Sequence, residues 1–364
     1  MAKGKNRAWR RALRVDTLLL TLVPVCIGLL AGTYGNGGGL PVLSVFTEKV
    51  SVEATEPDFG DIDAGGVNAA DALSDSQLNG RLADMPKADR CVPFRFLMLN
   101  ANNYFVSEDT QRARFKITVK KEESRNAVAE VIASAHPELV GLIEMGGPHA
   151  LTDLQGRLKQ KGLDYPYAKI LLRSGEDRAL AVLSQHPIVQ DKSRPNCSLL
   201  GNKRQKMLRG ILDITVQVGQ NRYYRVVGAH LKSRVSDDPA AATSRRKMEA
   251  RTLAMYLQQE MRKTPQLPVV VYGDWNDGPA EPSLKVLTQG VSEDSALTPV
   301  QAADSRGQTW TIYYRDAQEY SVFDRIFVNK VMRSRRGRSC ESGIVDIPAS
   351  ETAGDHRAVW CELR

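Results

Sequence analysis

Short, dense apolar runs bounded by polar residues recur from Phe94 to the C-terminus, and they constrain the fold of this chain more than any other feature. Phe94–Leu99, Leu139–Ile143, Tyr167–Leu172, Ala179–Leu183, Ile211–Val218 and Tyr223–Ala229 are of this kind. Val269–Tyr272, Val322–Val328, Gly343–Ile347 and Ala358–Leu363 continue the series. Runs this short and this continuous are strands buried on both faces, too short for buried helices. Two stretches carry helical spacing instead. Glu122–His136 places Val128, Val131, Ile132 and Ala135 on one side, and Ala240–Arg262 does the same with Leu253, Tyr256, Leu257 and Met261. Many strands with a few interspersed helices predict one α+β body of two packed sheets, with no internal repeat.

Charge divides the chain into three parts. Residues 1–34 hold six Lys/Arg and one Asp, and residues 35–90 hold four basic and ten acidic residues. With a total of +8, the remainder carries +9. A basic body suits an anionic partner such as nucleic acid or a phosphorylated lipid, or serves solubility alone. The first 34 residues read as a targeting segment. A basic stretch from Lys3 to Arg14 precedes an apolar run from Thr17 to Ala31, which is short against the ~20 residues of a full span. Uncleaved anchor and cleaved signal peptide both fit, and the poor small-residue pattern at Ala31-Gly32-Thr33 favours the anchor. Either places the body outside the cytoplasm. Residues 35–90, opening on Gly35-Asn36-Gly37-Gly38-Gly39, read as an acidic flexible linker with room for one short ordered piece, ahead of a catalytic body at 91–364. Cys91, Cys197, Cys340 and Cys361 can form two disulfides or stay free thiols, and their spacing is no zinc signature.

Polar residues close the apolar runs. Asn100, Glu144 and His230 follow three of them, Asp274 and Asn276 follow a fourth, and Asp324 and Asp355-His356 open two more. A rigid scaffold presents chemistry at such strand ends, although any one of them alone is more often a turn former.

As a set, these segments resemble the endonuclease/exonuclease/phosphatase superfamily over about residues 93–364, in the family's chain order. Phe96-Leu97-Met98-Leu99-Asn100 is similar to its opening strand and Pro137–Glu144 to the segment ending in its metal-binding Glu. Ala181–Ile188 resembles its middle strand and turn, and His230-Leu231-Lys232-Ser233 its catalytic His segment. Gly273-Asp274-Trp275-Asn276 resembles its Gly-Asp-Phe-Asn signature, and Asp324-Arg325-Ile326-Phe327 and Gly354-Asp355-His356-Arg357 its closing motifs. Ile143 and Gly354 depart from the family's usual Gln and Ser at positions that supply no needed side chain.

The resemblance implies a two-sheet α/β sandwich of the four-layer deoxyribonuclease I type with the site at the strand ends along one edge. It implies hydrolysis of phosphodiester or phosphomonoester bonds, nucleic acid first, with Mg²⁺ (or Mn²⁺ or Ca²⁺) held by Glu144, Asn100 and Asp355. His356 becomes the general base oriented by Asp324, and His230 a donor to a non-bridging or leaving oxygen. Asp274 and Asn276, alternating along one strand end, orient water and grip the phosphate. Asp177 is an expected partner for His230, and Arg178 an expected phosphate ligand. Rival readings are a lipid or small-molecule phosphodiesterase at a membrane surface and a catalytically silent binding module. A monomer is expected. Trp275 reads as packing, His136, His149 and His186 as turn or helix-end residues, and Arg333–Arg338 as a solvated loop or a phosphate-contacting hairpin. Arg245, Arg246 and Lys247 flank the cleft or form a charged face.

Overall fold

The computed structural model describes residues 59, 72–110, 117–314, 318–337 and 339–364. The targeting segment, the Gly-rich start of the linker, Cys26 and Arg338 lie outside them. Among the described residues no helix is long and apolar enough to cross a membrane.

The strands begin with β1 (Phe94–Tyr104), β2 (Leu139–Met145), β3 (Tyr167–Leu171), β4 (Ala179–Ser184) and β5 (Ile188–Asp191). A hairpin, β6 (Ser198–Leu199) and β7 (Asn202–Lys206), precedes β8 (Leu212–Gln217), β9 (Tyr223–His230) and β10 (Val269–Asp274). Then come β11 (Thr298–Pro299), the hairpin β12 (Ile312–Tyr314) and β13 (Glu319–Ser321), β14 (Asp324–Val328), β15 (Ser342–Ile344) and β16 (Val359–Leu363). Two six-stranded mixed sheets result. The first has the order β15-β16-β1-β2-β4-β3 and the second β11-β14-β10-β9-β8-β5.

Both faces of both sheets are covered, which is why the apolar runs do not alternate with polar residues. Leu97, Leu99, Val140, Leu142, Ala181 and Leu183 pack outward, with helices Glu122–Ser134 and Pro148–Gln160. Phe96, Met98, Ile143, Leu180 and Val182 face inward and meet Ile214, Val226, Val270, Tyr272 and Ile326 of the second sheet. The outer face of that sheet packs Val227, Val269, Val271 and Phe327 against Leu253, Tyr256, Leu257 and Met261 of helix Pro239–Lys263. The order is therefore helix, sheet, sheet, helix, the expected four-layer sandwich. Helices Glu122–Ser134 and Pro239–Lys263 run between parallel neighbours, β1 to β2 and β9 to β10.

Several expectations are revised. The body starts ahead of Cys91. Helix Asp75–Leu82, with a capping box at Ser74, buries Leu78 and Leu82 against Val189, Tyr223 and Leu267. Lys192 Nζ ties it down, bonded to Asp75 at 2.6 Å and to Glu260 at 2.8 Å. The linker expected over 35–90 is thus shorter at its C-terminal end. The described arginines of the run, Arg333, Arg335 and Arg336, lie in neither loop nor hairpin. They belong to helix Lys330–Arg336, whose Arg335 and Arg336 donate to the carbonyls of Arg364 and Glu362 at the far end of β16 from His356. Cys91, Cys340 and Cys361 are free thiols.

The sheets approach closely at one ring. A methyl group at Gly141 of β2 would sit 2.7 Å from Tyr272 Cε2, and one at Gly228 of β9 would sit 2.6 Å from Tyr272 Cζ. Neither glycine has a positive φ, so contact rather than backbone conformation demands it. Gly141→Ala is expected to lower stability by roughly 1–3 kcal/mol through overpacking. Gly156→Ala, whose added methyl meets nothing within 4 Å, is expected to be neutral or stabilising. Urea unfolding of the two variants reads the contrast, and equal midpoints would mean that the sheets are not spaced by this contact.

Candidate active site

Register places three of the expected site side chains in one row. Asp274, the last residue of β10, pairs with His230 of β9 on one side and Asp324 of β14 on the other. The first sheet supplies the opposing groups. Asn100 Nδ2 donates to Asp274 Oδ2 at 3.0 Å, and His356, just ahead of β16, bonds Asp324 Oδ2 through Nδ1 at 2.7 Å. His230 Nε2 lies 3.6 Å from Asp274 Oδ2 and 3.9 Å from Glu144 Oε1. All but Glu144 and Asp355 of the catalytic and metal residues expected from the sequence are buried.

The strand ends that carry these groups are irregular. Asn102, Asn103, Glu144 and Asn276 are non-glycine residues with φ of 47°, 56°, 61° and 52°. Backbone of this kind costs on the order of 1–3 kcal/mol per residue and persists only where its surroundings enforce it. At Glu144 the register of β2 shifts against both β1 and β4, a bulge that re-aims the carboxylate. Asn103 N then donates to Glu144 Oε2 at 3.1 Å. Asn276 lies past the end of β10 rather than in step with Asp274, correcting the alternation read from the sequence. Its own N–H donates to Asp274 Oδ1 at 3.0 Å and its side-chain amide to Leu231 O at 3.1 Å, so a turn brings the pair together.

Other expected residues sort as follows. Arg178 Nε donates to Asn103 Oδ1 at 2.6 Å and lies 3.7 Å from Glu144 Oε2, at the site. Asp177 does not hold His230, since the buried His230 Nδ1 has no hydrogen-bond partner among the described residues. Asp355 accepts from Asn102 Nδ2 at 2.6 Å and is about half exposed. Trp275 is packing, its ring on Phe327 and its N–H on Arg325 O. Arg246 is buried and ion-paired with Asp277 at 3.0 Å, joining the segments after β9 and β10.

Four contributors escaped the sequence reading. Asn102 and Asn103 follow Asn100 after Ala101, and the tolerance of Asn for left-handed backbone was the available signal. Lys120 Nζ donates to Asn102 O at 3.1 Å from a distant part of the chain, with no sequence signal. Glu249, in helix Pro239–Lys263, accepts from Leu208 N and Lys232 N, fixing the turn that carries Arg209 beside the His230 strand end. Two buried Arg209 nitrogens, Nε and Nη1, have no partner among the described residues.

Burial and crowding divide the titrating groups. Burial pushes the Asp274 carboxyl up to about 7, and the charge of Asp324 adds to this. Burial acts against charge on both histidines. At His230 it prevails, and with nearby Arg209 it holds the ring well below the ordinary value, hence neutral. At His356 it is outweighed by Asp324, with Asp274 and Asp355 assisting, and the value rises to about 10. His356 therefore keeps a proton at neutral pH while these carboxylates stand uncompensated.

That imbalance suits a divalent cation. Asp274, Asp324 and His356 bring ligand atoms within 4.8 Å of one another, and the buried Asp324 Oδ1 has no partner among the described residues. Glu144, Asn100 and Asp355 add hard oxygen donors at the same strand ends, the donor type that Mg²⁺ selects. A cation there would relieve the field that keeps His356 protonated.

The model of the Endonuclease/Exonuclease/phosphatase family matches residues 111–356. Among solved structures, the catalytic domain of human Nocturnin with bound sulfate superposes with a TM-score of 0.53 at 17% identity, over 77% of this chain and 96% of that one. A beta toxin variant of Staphylococcus aureus with bound magnesium ions gives 0.53 at 14%, over 75% and 100%. Sphingomyelinase C from Streptomyces griseocarneus gives 0.51 at 16%, over 75% and 100%. At these identities the likeness speaks for the fold. No curated protein matches the chain.

Cation binding has a readout independent of turnover. Mg²⁺ or Mn²⁺ is expected to raise the unfolding temperature, by the equivalent of roughly 2.7 kcal/mol at a hundredfold excess over Kd. Glu144→Gln is expected to weaken that binding tenfold or more. An unchanged metal titration in the variant would place the cation elsewhere.

Proposed function

Because the chain belongs to the Endonuclease/Exonuclease/phosphatase family, we propose that it is a Mg²⁺-dependent phosphodiesterase that cleaves nucleic acid outside the cytoplasm. Hydrolysis of phosphoester bonds is the chemistry that family membership and the acidic cluster support. The observation that carries the reading is the bond of His356 to Asp324 across the two sheets, beside Asn100, Asp274 and His230. The finer choice of nucleic acid rests on the basic charge of residues 91–364, and the location on the basic and apolar segment at the N-terminus.

A phosphodiester repels its nucleophile, so the site must offset charge, activate water and support the leaving oxygen. Glu144, Asn100 and Asp355 would hold Mg²⁺, which supplies charge neutralisation at the phosphoryl oxygens when bound. Asp324 engages His356 Nδ1 and leaves Nε2 to take a proton from the attacking water. Asp274 and Asn276 orient that water and the phosphate. His230, kept neutral, presents a ring N–H to a non-bridging or leaving oxygen without adding charge. Arg178, anchored on Asn103, contributes a guanidinium to the phosphate.

The test incubates the purified chain with plasmid DNA, bis-p-nitrophenyl phosphate and sphingomyelin vesicles, with Mg²⁺ or EDTA. Metal-dependent nicking is expected, and His356→Ala is expected to reduce it by roughly 10²–10⁴ while the unfolding transition stays cooperative. Turnover confined to the vesicles or the small ester would move the substrate class. An unaltered rate in His356→Ala would reject its role as base.

A further inference from the structure

We propose that the cleft beside Asp355 is a stacking subsite for an unpaired nucleobase, which makes single-stranded nucleic acid the preferred substrate. The proposal rests on the nuclease reading and names the form of nucleic acid it takes.

The cleft holds about 1200 Å³, and its lining includes Trp310, Tyr313, Tyr320 and Lys120 together with Asn102 and Asp355 of the site. Its aromatic wall comes from the hairpin β12–β13 and the residues leading into it. The Tyr313 and Tyr320 rings stack at 4.5 Å and 25°, and Trp310 lies tilted against Tyr320 at 4.9 Å. Tyr320 is 57% exposed, a large ring left in water at the cleft.

The wall is fixed to the catalytic segment by backbone. Tyr313 N donates to Asp355 O at 3.2 Å and Arg357 N to Thr311 O at 2.7 Å, with Ile312 and His356 paired between them. The rings therefore keep one distance from the groups that act on the phosphate. Trp310 is also backed from behind. The Arg357 guanidinium lies 4.1 Å from the centre of its ring, and Arg357 is itself buried and bonded to Asp304 at 2.9 Å. A platform braced in this way loses little freedom when a ligand lands on it.

Every base offers a flat π-face, and a nucleotide next to the scissile phosphate is the part of the substrate that reaches this wall. In a duplex that face is covered by neighbouring pairs; in a single strand it is open. Lys120, held to Asn102 O, lines the same cleft and offers a cation to the backbone.

The experiment compares kcat/KM for a single-stranded oligonucleotide with that for the same strand carrying tetrahydrofuran abasic residues in place of bases. The wild-type chain is expected to favour the base-bearing strand roughly tenfold, the range of one base–aromatic stack. Tyr320→Ala and Trp310→Ala are expected to bring that ratio close to one, whereas Tyr320→Phe keeps it. The complementary duplex is expected to be cut more slowly by wild type. Oligonucleotide cleavage with a ratio near one in wild type, or a ratio unmoved in Tyr320→Ala, overturns the subsite and leaves the nuclease reading intact. Hydrolysis of bis-p-nitrophenyl phosphate or sphingomyelin vesicles with no cleavage of any oligonucleotide overturns both.

Discussion

The Tyr272 ring fills the space that a side chain at Gly141 of the facing sheet, or at its own strand neighbour Gly228, would otherwise take, and its hydroxyl donates to Ala181 O of the facing sheet at 2.9 Å. That single contact sets how near β10 can come to β2 and β4, and the polar groups at the strand ends inherit the spacing. Asn100 reaches Asp274, and His356 reaches Asp324, only across that gap. The site is in this sense a property of sheet packing. A sandwich held slightly further apart would retain every side chain and lose these two bonds.

Charge is the second constraint. Asp274, Asp324 and His356 share one buried space, and burial raises the Asp274 carboxyl as Asp324 crowds it. A fold gains nothing from such an arrangement by itself, since buried charge must be compensated. Left-handed backbone at Asn102, Asn103, Glu144 and Asn276 adds local strain at the same strand ends. Stability is supplied elsewhere, by the three apolar layers and by the buried network of Asp213, Arg225, Glu260 and Lys192, which also fastens helix Asp75–Leu82.

How well the sequence could be read followed from how local each signal was. Strands buried on both faces announce themselves as apolar runs, so β2, β4, β9 and β10 lay close to the expected positions. Helix Pro239–Lys263 was legible from its apolar face. Helix Pro148–Gln160 was missed although Ala150, Leu151, Leu154 and Leu158 stand at helical spacing behind Pro148 at its first turn. The β12–β13 hairpin was missed because its tyrosines are partly or largely exposed and carry no alternation. The arginine run misled for a different reason. Arg335 and Arg336 are spent on the carbonyls of Arg364 and Glu362, a use that depends on packing against β16 rather than on any local pattern.

By itself, then, the sequence determined the central buried strands of both sheets, that both their faces are covered, and which acids, amides and histidines stand at their ends. Those properties follow from composition within a few residues, where burial preference and chain geometry act directly. Only the tertiary structure decided which of these end groups meet. Register brought His230, Asp274 and Asp324 into one row, a bulge turned Glu144, and the packing of one sheet on the other carried His356 to Asp324. It likewise left His230 Nδ1 without Asp177 and brought Lys120, Arg209 and the ring of Tyr320 to the strand ends or the cleft beside them. Pairings between residues tens to hundreds of positions apart are set by long-range packing, which no local pattern encodes.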